Sequence, residues 1–425
     1  MDRLLKKATR QHTKNHNSQL VLRTIYDSGE ISRADLARLT HLTRTTVSDV
    51  VADLIGRGLV EEVGHGASSG GRTPILLSVV DDSRYLIGVN LMSSEISGAT
   101  INLRGGIRHR ASRAFQSRDA ESVLSLVYDL IDELIEAAGS PLLGIGISTP
   151  GLMDTTAGIV RHAVNFGWQN LHLRDLIHAR YKLPVYLGNG AHMAALAEYT
   201  FGGSQNRKNL VVIHVGQGIG AGITLNGELF YGDAHGAGEI GHVVVVEDGR
   251  QCKCGNYGCL ETVADSREII RRAQLIARED PSSLLHQLAS DIETIDLDTV
   301  VQAFRAGDTA LRQVIDEVGR YLGIAVANLI GILNIERIVI TGPVAQFGQP
   351  LCDAIARDML KRSLPALARA TELAVVEEGP DSVLLGISAL LLNYELGLIR
   401  LVTRQLAVNT VDLRTLSGVH RTSAT

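Results

Sequence analysis

With 425 residues and 45% hydrophobic content, the chain has length for two or three domains with extensive cores. No apolar run approaches the roughly eighteen residues that span a bilayer, which excludes a membrane-embedded class, and no secretory leader is read at its start. The net charge of -5 conceals a division: residues 1 to 80 carry eleven Lys/Arg against eight Asp/Glu, a balance of +3, and the remaining 345 carry -8. One end can therefore approach DNA while the bulk stays soluble.

The N-terminal segment reads as a winged helix-turn-helix over residues 1–80. A first helix is expected from Asn17 to Asp27, before the Asp-Ser-Gly break at 27 to 29. A second starts at Ser32, where Asp35 three residues later completes a capping-box-like pair. The third follows Thr43 and sets Val47, Val50, Val51, Leu54 and Ile55 on one buried stripe. Its other face carries Arg44, Thr45, Thr46, Ser48 and Asp49, suited to a major groove: arginine bonds guanine edges, threonine methyls touch thymine, and hydroxyls reach phosphates. Residues 59–63 and 75–79 pair as a wing, and the Gly/Ser-rich stretch between them puts Arg72 on a thin strip shaped for a narrow minor groove. The competing readings are a disordered hairpin tip and a protein-binding module. Pattern, capping, wing and local charge favour DNA.

A two-lobed α/β domain follows, with lobes at 84–200 and 201–400 and a polar tail at 401–425. Strands are read at 85–90, 96–103, 142–148 and 185–188, with helices at 123–138 and 191–199. The second lobe opens with a strand at 210–215, continues through Gly216, Gly218, Gly220 and Gly222 into a strand at 223–225, and holds a long apolar helix at 318–333 before a strand at 337–341. Strand-to-glycine turns facing each other across two lobes imply a cleft between them.

Residues 239 to 261 carry the sharpest signal. His242, Cys252, Cys254 and Cys259 supply an imidazole and three thiolates, the set with which a structural zinc site closes its tetrahedron. Gly255 and Gly258 let the loop bend so that the sulfurs converge. A disulfide is the weaker reading, because Cys-x-Cys is a strained geometry for a bridge. With three of four cysteines assigned to metal, the chain fits a reducing cytoplasm, and Cys352 is expected to be a buried apolar residue. Glu239 and Glu261 flank the loop without being needed for the metal. With an imidazole whose second nitrogen is oriented by the ion, they suit a small molecule bearing several hydroxyls; solvated loop charges are the alternative.

On these residues the chain from about 84 to 400 resembles the ROK family of repressors, open reading frames and sugar kinases, in its N-acetylglucosamine- and xylose-repressor branch. The resemblance implies the actin-like sugar-kinase fold, zinc on His242 and the three cysteines, and a sugar site lined by Glu239, His242 and Glu261. Asn189 and Asn165 correspond to further sugar contacts, and Trp168 is either another or core packing. The chain departs from the family's kinases at three places. Their Asp-x-Gly-Gly-Thr phosphate turn reads Asn90-Leu91-Met92-Ser93-Ser94 here, their catalytic aspartate is replaced by Gly190, and a glycine that would face adenosine is Pro343. His192 could act as a substitute base, but on a helix start it lies about 200° around from Gly190.

These readings converge on a cytoplasmic, sugar-responsive transcriptional repressor, not an enzyme, that binds operator DNA as a homodimer or larger even assembly and releases it when a sugar enters the cleft. A sugar kinase with a DNA-binding arm and a zinc-sensing regulator are the competing classes. Gly190 removes one contact that selects a free terminal hydroxyl, so the effector is expected to be a pentose or a sugar substituted at that position.

Overall fold

The computed structural model describes residues 10–66, 73–92, 95–115, 119–139, 141–163, 166–205, 207–377, 379 and 381–399. Arg72, Ser93, Asn165 and the tail 401–425, all singled out above, lie outside the described residues.

The N-terminal module is built from α1 (Arg10–Ser28), β1 (Ile31–Ser32), α2 (Arg33–Thr40), α3 (Arg44–Gly56), β2 (Val60–His65) and β3 (Ile75–Val79). Ser32 caps α2, its hydroxyl accepting from the Asp35 amide at 3.1 Å and donating to the Asp35 carboxylate at 2.8 Å. Thr43 caps α3 in the same way through the Thr46 amide. Val21 and Ile25 of α1, Leu36 of α2 and the stripe Val47, Val50, Val51 and Leu54 are buried together, and β2 pairs antiparallel with β3 to form the wing. The first helix is longer than its apolar pattern suggested, since its leading turns carry polar residues only.

The first lobe contains β4 (Tyr85–Leu91), β5 (Glu95–Asn102), β6 (Ile107–Ala114), α4 (Ala120–Ala138), β7 (Leu142–Ser148), β8 (Leu152–Asp154), β9 (Ile159–Ala163), β10 (Trp168–Leu171), α5 (Leu173–Tyr181), β11 (Val185–Gly188) and α6 (Gly190–Thr200). The second contains β12 (Leu210–Val215), β13 (Ile219–Leu225), β14 (Glu228–Leu229), α7 (Glu261–Ala264), α8 (Ser266–Glu279), α9 (Leu285–Leu288), α10 (Leu297–Arg305), α11 (Thr309–Leu333), β15 (Arg337–Thr341), α12 (Gly348–Arg362), α13 (Pro365–Ala370), β16 (Glu372–Val375) and α14 (Ser382–Leu391).

The lobes repeat one topology. Their sheets run β11-β7-β4-β5-β6 and β14-β13-β12-β15-β16, each an antiparallel meander with two parallel strands added beside its first strand. Gly220 and Gly222 lie inside β13 and not in the turn before it, a correction to the strand start at 223. The small sheet β8-β9-β10 has no counterpart in the sequence reading.

Two helices separate the sheets. Ile387 and Leu391 of α14 press onto Gly146 in the first sheet, while Ala191 and Ala195 of α6 lie against Gly222 in the second. The two helices meet backbone to backbone: a Cβ on Gly386 would stand 1.8 Å from the Met193 carbonyl oxygen. Beyond α14, a π-helical turn over Leu392–Leu396 and residues Leu398 and Ile399 share one apolar core with Val21, Leu22 and Ile25 of α1. Arg104 adds a polar tie, donating to the Tyr26 carbonyl at 2.6 Å and lying 4.0 Å from its ring centroid. Cys352 is half-buried, not buried as expected, with its sulfur 4.0 Å from the Leu373 carbonyl. Among the described residues no helix is long and apolar enough to cross a membrane.

Candidate functional site

The metal loop follows β14. After Gly238 the chain makes one 3-10 turn, Ile240–His242, and backbone bridges pairing Val244 with Cys259 and Gln251 with Tyr257 fold the cysteines back over it. Gly255 and Gly258 both have positive φ, and a Cβ on Gly258 would lie 1.7 Å from the Val246 carbonyl oxygen, so the bend admits only glycine there. The four donor atoms of His242, Cys252, Cys254 and Cys259 lie within 4.8 Å of one another. A tetrahedral zinc with Zn–S of about 2.3 Å and Zn–N of about 2.0 Å would separate two sulfurs by about 3.8 Å and a sulfur from a nitrogen by about 3.5 Å. Cys254 and Cys259 sulfurs are 3.7 Å apart, and Cys252 Sγ is 3.5 Å from His242 Nδ1. Burial pushes the Cys252 and Cys259 thiols up, Cys259 to about 12, a cost that a divalent cation among them reverses by holding thiolates directly.

With Nδ1 turned to the sulfurs, His242 Nε2 faces the other way, 3.9 Å from a Glu239 carboxylate oxygen. Burial raises the Glu239 carboxyl above its ordinary range, His242 opposing the shift and Glu261 adding to it. Glu261 opens α7, and it is not a solvated loop charge: its side chain is only 14% exposed. One oxygen accepts from the Ile219 amide at 3.2 Å and the other from Arg267 at 3.0 Å.

The facing wall rises from the C-terminal ends of neighbouring strands in the first sheet. Asn90, next to last in β4, is in register with Ser148 of β7, which pairs in turn with Gly188 of β11. Asn189 then caps α6, its side-chain oxygen accepting from the Ala191 amide at 2.9 Å. Gly190 opens onto space, since a Cβ there would meet nothing nearer than Ser148 Oγ at 3.8 Å. Met92 is exposed in the turn after β4. The two walls adjoin, for a Cβ on Gly220, the residue after Ile219, would lie 3.0 Å from Ala191.

His192 does not face the Gly190 position. It lies edge-on to Tyr231 with Nε2 3.1 Å from the Ala237 carbonyl, and burial lowers its pKa to about 4, so it ties α6 to the strand of chain leading to Glu239. Trp168 is core: it packs on Phe166 and its indole donates to the Ala120 carbonyl. On the recognition helix Arg44, Thr45, Ser48 and Asp49 are exposed, whereas the Thr46 hydroxyl bonds that of Thr43 at 2.9 Å and points back to the cap. Two residues were not anticipated. Arg267 braces Glu261 from six positions along the chain. His214 lies between the glycine turns at Gly216 and Gly342, beside Pro343, where a side chain on Gly342 would meet its ring at 2.9 Å. Its Nδ1 is buried without a partner among the described residues, and burial lowers the ring to about 4.

The ROK family pattern matches residues 86–393, both lobes and the entire metal loop. The chain belongs to the ROK family. Residues 20–68 match the MarR family, in agreement with the winged helix. The chain is 33% identical over 384 residues to a xylose repressor of Caldicellulosiruptor bescii, covering 89% of this chain and 96% of that protein. It is 34% identical over 311 residues to a glucokinase of Halalkalibacterium halodurans, covering 71% of this chain and 93% of the glucokinase. A crystal structure of a ROK family transcriptional regulator, a homolog of the E. coli MLC protein, superimposes with a TM-score of 0.78 at 30% identity, covering 91% of this chain and 98% of that one. The likeness to regulators thus spans the winged helix as well as the two lobes.

Proposed function

We propose that this ROK protein is a sugar-responsive transcriptional repressor that binds operator DNA through its winged helix and releases it when a sugar occupies the cleft. The carrying observation is that a winged helix shares its core with the end of α14, which packs on α6, whose first turn forms one wall of the cleft. Glu239, Glu261, His242 Nε2 and the Asn189 amide offer acceptors and donors suited to sugar hydroxyls, and Asn165 is a further contact by family correspondence. Closing the lobes on a sugar shifts α6 against α14 and, through the Leu392–Leu396 turn, the seat of α1. By linkage, a sugar that favours the closed form weakens operator binding, and operator weakens sugar binding by the same factor.

In this reading zinc is structural: His242, Cys252, Cys254 and Cys259 hold it, and it fixes which nitrogen of His242 meets the ligand. Arg44, Thr45 and Ser48 read base edges or phosphates, together with Arg72, while Thr46 contributes through the cap of α3. A homodimer or larger even assembly matches palindromic half-sites, and the protein acts in the cytoplasm. Phosphoryl transfer is lost, because Asn90, Met92, Ser93 and Gly190 supply neither a carboxylate for magnesium nor a base for the attacking hydroxyl. The missing base alone costs roughly 10² to 10⁴ in rate.

A gel-shift assay on operator DNA with D-xylose, D-glucose and N-acetylglucosamine tests the reading. One sugar should free the operator; retention under all of them, including the 6-phosphates of the hexoses, counts against it. The identity to a glucokinase keeps a second reading, a sugar kinase with a DNA-binding arm, and incubation with ATP, magnesium and the same sugars separates the two.

A further inference from the structure

We infer that Arg267, at the start of α8, is a positioning residue of the effector cleft: it holds Glu261 in the orientation that a sugar's hydroxyls meet. This inference rests on the proposed sugar-binding role of the cleft and adds to it a residue outside the metal loop.

The geometry is a three-way bracket. Arg267 donates from Nη2 to Glu261 Oε1 at 3.0 Å and from Nε to Asp265 Oδ2 at 2.8 Å. Asp265 is itself fixed, because its other oxygen caps α8 by accepting from the Glu268 amide at 2.7 Å and its side chain is only 5% exposed. Nη2 also lies 2.7 Å from Asp265 Oδ2, so the guanidinium is anchored on the helix cap through Nε and Nη2 while Nη2 also reaches Glu261. A planar fork reaches both carboxylates at once, which a lysine's point charge does not.

Two consequences reach the ligand. An ionised carboxylate has about four lone-pair directions, and with one taken by the Ile219 amide and one by Arg267, about two remain, both aimed by the bracket. Charge is the other consequence. Glu239, Glu261 and Asp265 crowd one wall, and the Glu261 charge adds to the burial that disfavours the charged forms of Glu239 and Asp265. Arg267 offsets that repulsion. Without it Glu261 has no partner on Oε1 and is free to swing toward water, leaving a ligand to order the side chain at its own expense.

The test measures sugar affinity by titration calorimetry with D-xylose, D-glucose and N-acetylglucosamine, each hexose also as its 6-phosphate, on the full-length zinc-loaded protein. Arg267→Met, which keeps the apolar stem, should weaken the sugar that the parent binds by about tenfold or more, with Arg267→Lys between the two. Zinc content and a single cooperative unfolding transition report that the fold persists; should Arg267→Met lose either, Arg267→Lys carries the same comparison. A merely structural arginine is told apart by the double variant: on the Glu261→Gln background, Arg267→Met should add less than about twofold, because its action runs through Glu261. Binding by Arg267→Met equal to the parent's, or a full additive loss on the Gln background, overturns the inference. A parent that binds none of these sugars overturns the effector reading itself, and is recognised by its separate outcome.

Discussion

The two walls of one cleft differ in what they retain. The metal-loop wall holds a complete donor set at tetrahedral spacing and two glutamates with defined partners. The other wall keeps the strand ends and the cap at Asn189, and carries Asn90, Met92 and Gly190, which the proposed function reads as lacking a kinase's carboxylates. On the proposed function, the difference teaches that recognition and chemistry are separable in this fold: hydroxyl binding would depend on the second lobe's loop, phosphoryl transfer on the first lobe's turns. A protein that only reports on a sugar needs the first wall intact and the second merely shaped.

The largest expected effect falls on the retained wall. Cys254→Ser would remove one of the four ligands of the proposed zinc, an ion that supplies about 10 to 16 kcal/mol in small zinc-binding peptides. Metal content by elemental analysis should fall below one ion per chain and the sugar response of operator binding should vanish; full zinc with an unchanged response would mean the loop does not orient His242. On the other wall, Gly190→Asp places a carboxylate in open space, so it should fold normally and shift calorimetric preference toward simple hexoses. ATP turnover should stay absent in parent and variant alike, because on the proposed function Asn90 offers no carboxylate for magnesium; a kinase-like rate of about 1 to 100 per second in the parent would erase the contrast between the walls.

Much of this contrast was legible in the sequence for a physical reason. The four metal donors, both glutamates and the cap at Ser32 act over short separations, where spacing fixes geometry. Contacts between distant segments were not legible. Nothing near Arg267 marks it as Glu261's partner, since its role depends on how α7 and α8 meet. The His214 ring between Gly216 and Gly342, the β8-β9-β10 sheet and the seating of α1 on residues 392–399 likewise exist only once the chain has folded. Thr46 is the instructive case: as the third residue of α3 it belongs to the groove-facing pattern, and the structure adds a bond between its hydroxyl and that of Thr43 that spacing did not show.

Smaller effects sharpen the link from cleft to DNA. Arg44→Ala should cost about 1 to 3 kcal/mol at one operator position, read by binding to single-base operator variants, and leave sugar affinity unchanged. Uniform binding to all variants, equal to the parent's, would move the DNA surface elsewhere. Arg104→Ala breaks the tie to Tyr26, a half-exposed contact worth about 0.5 to 1 kcal/mol. Sugar affinity should hold while the sugar-induced change in operator affinity shrinks; an unaltered response would show that the seat of α1 does not depend on this contact.

The central claim is that the cleft and the winged helix are thermodynamically coupled. Sugar affinity measured by calorimetry on the free protein and on the protein saturated with operator tests it most directly. The account predicts that operator weakens sugar binding by the same factor by which the sugar weakens operator binding. Equal sugar affinities in the two states, for a sugar that binds the free protein specifically, would contradict it.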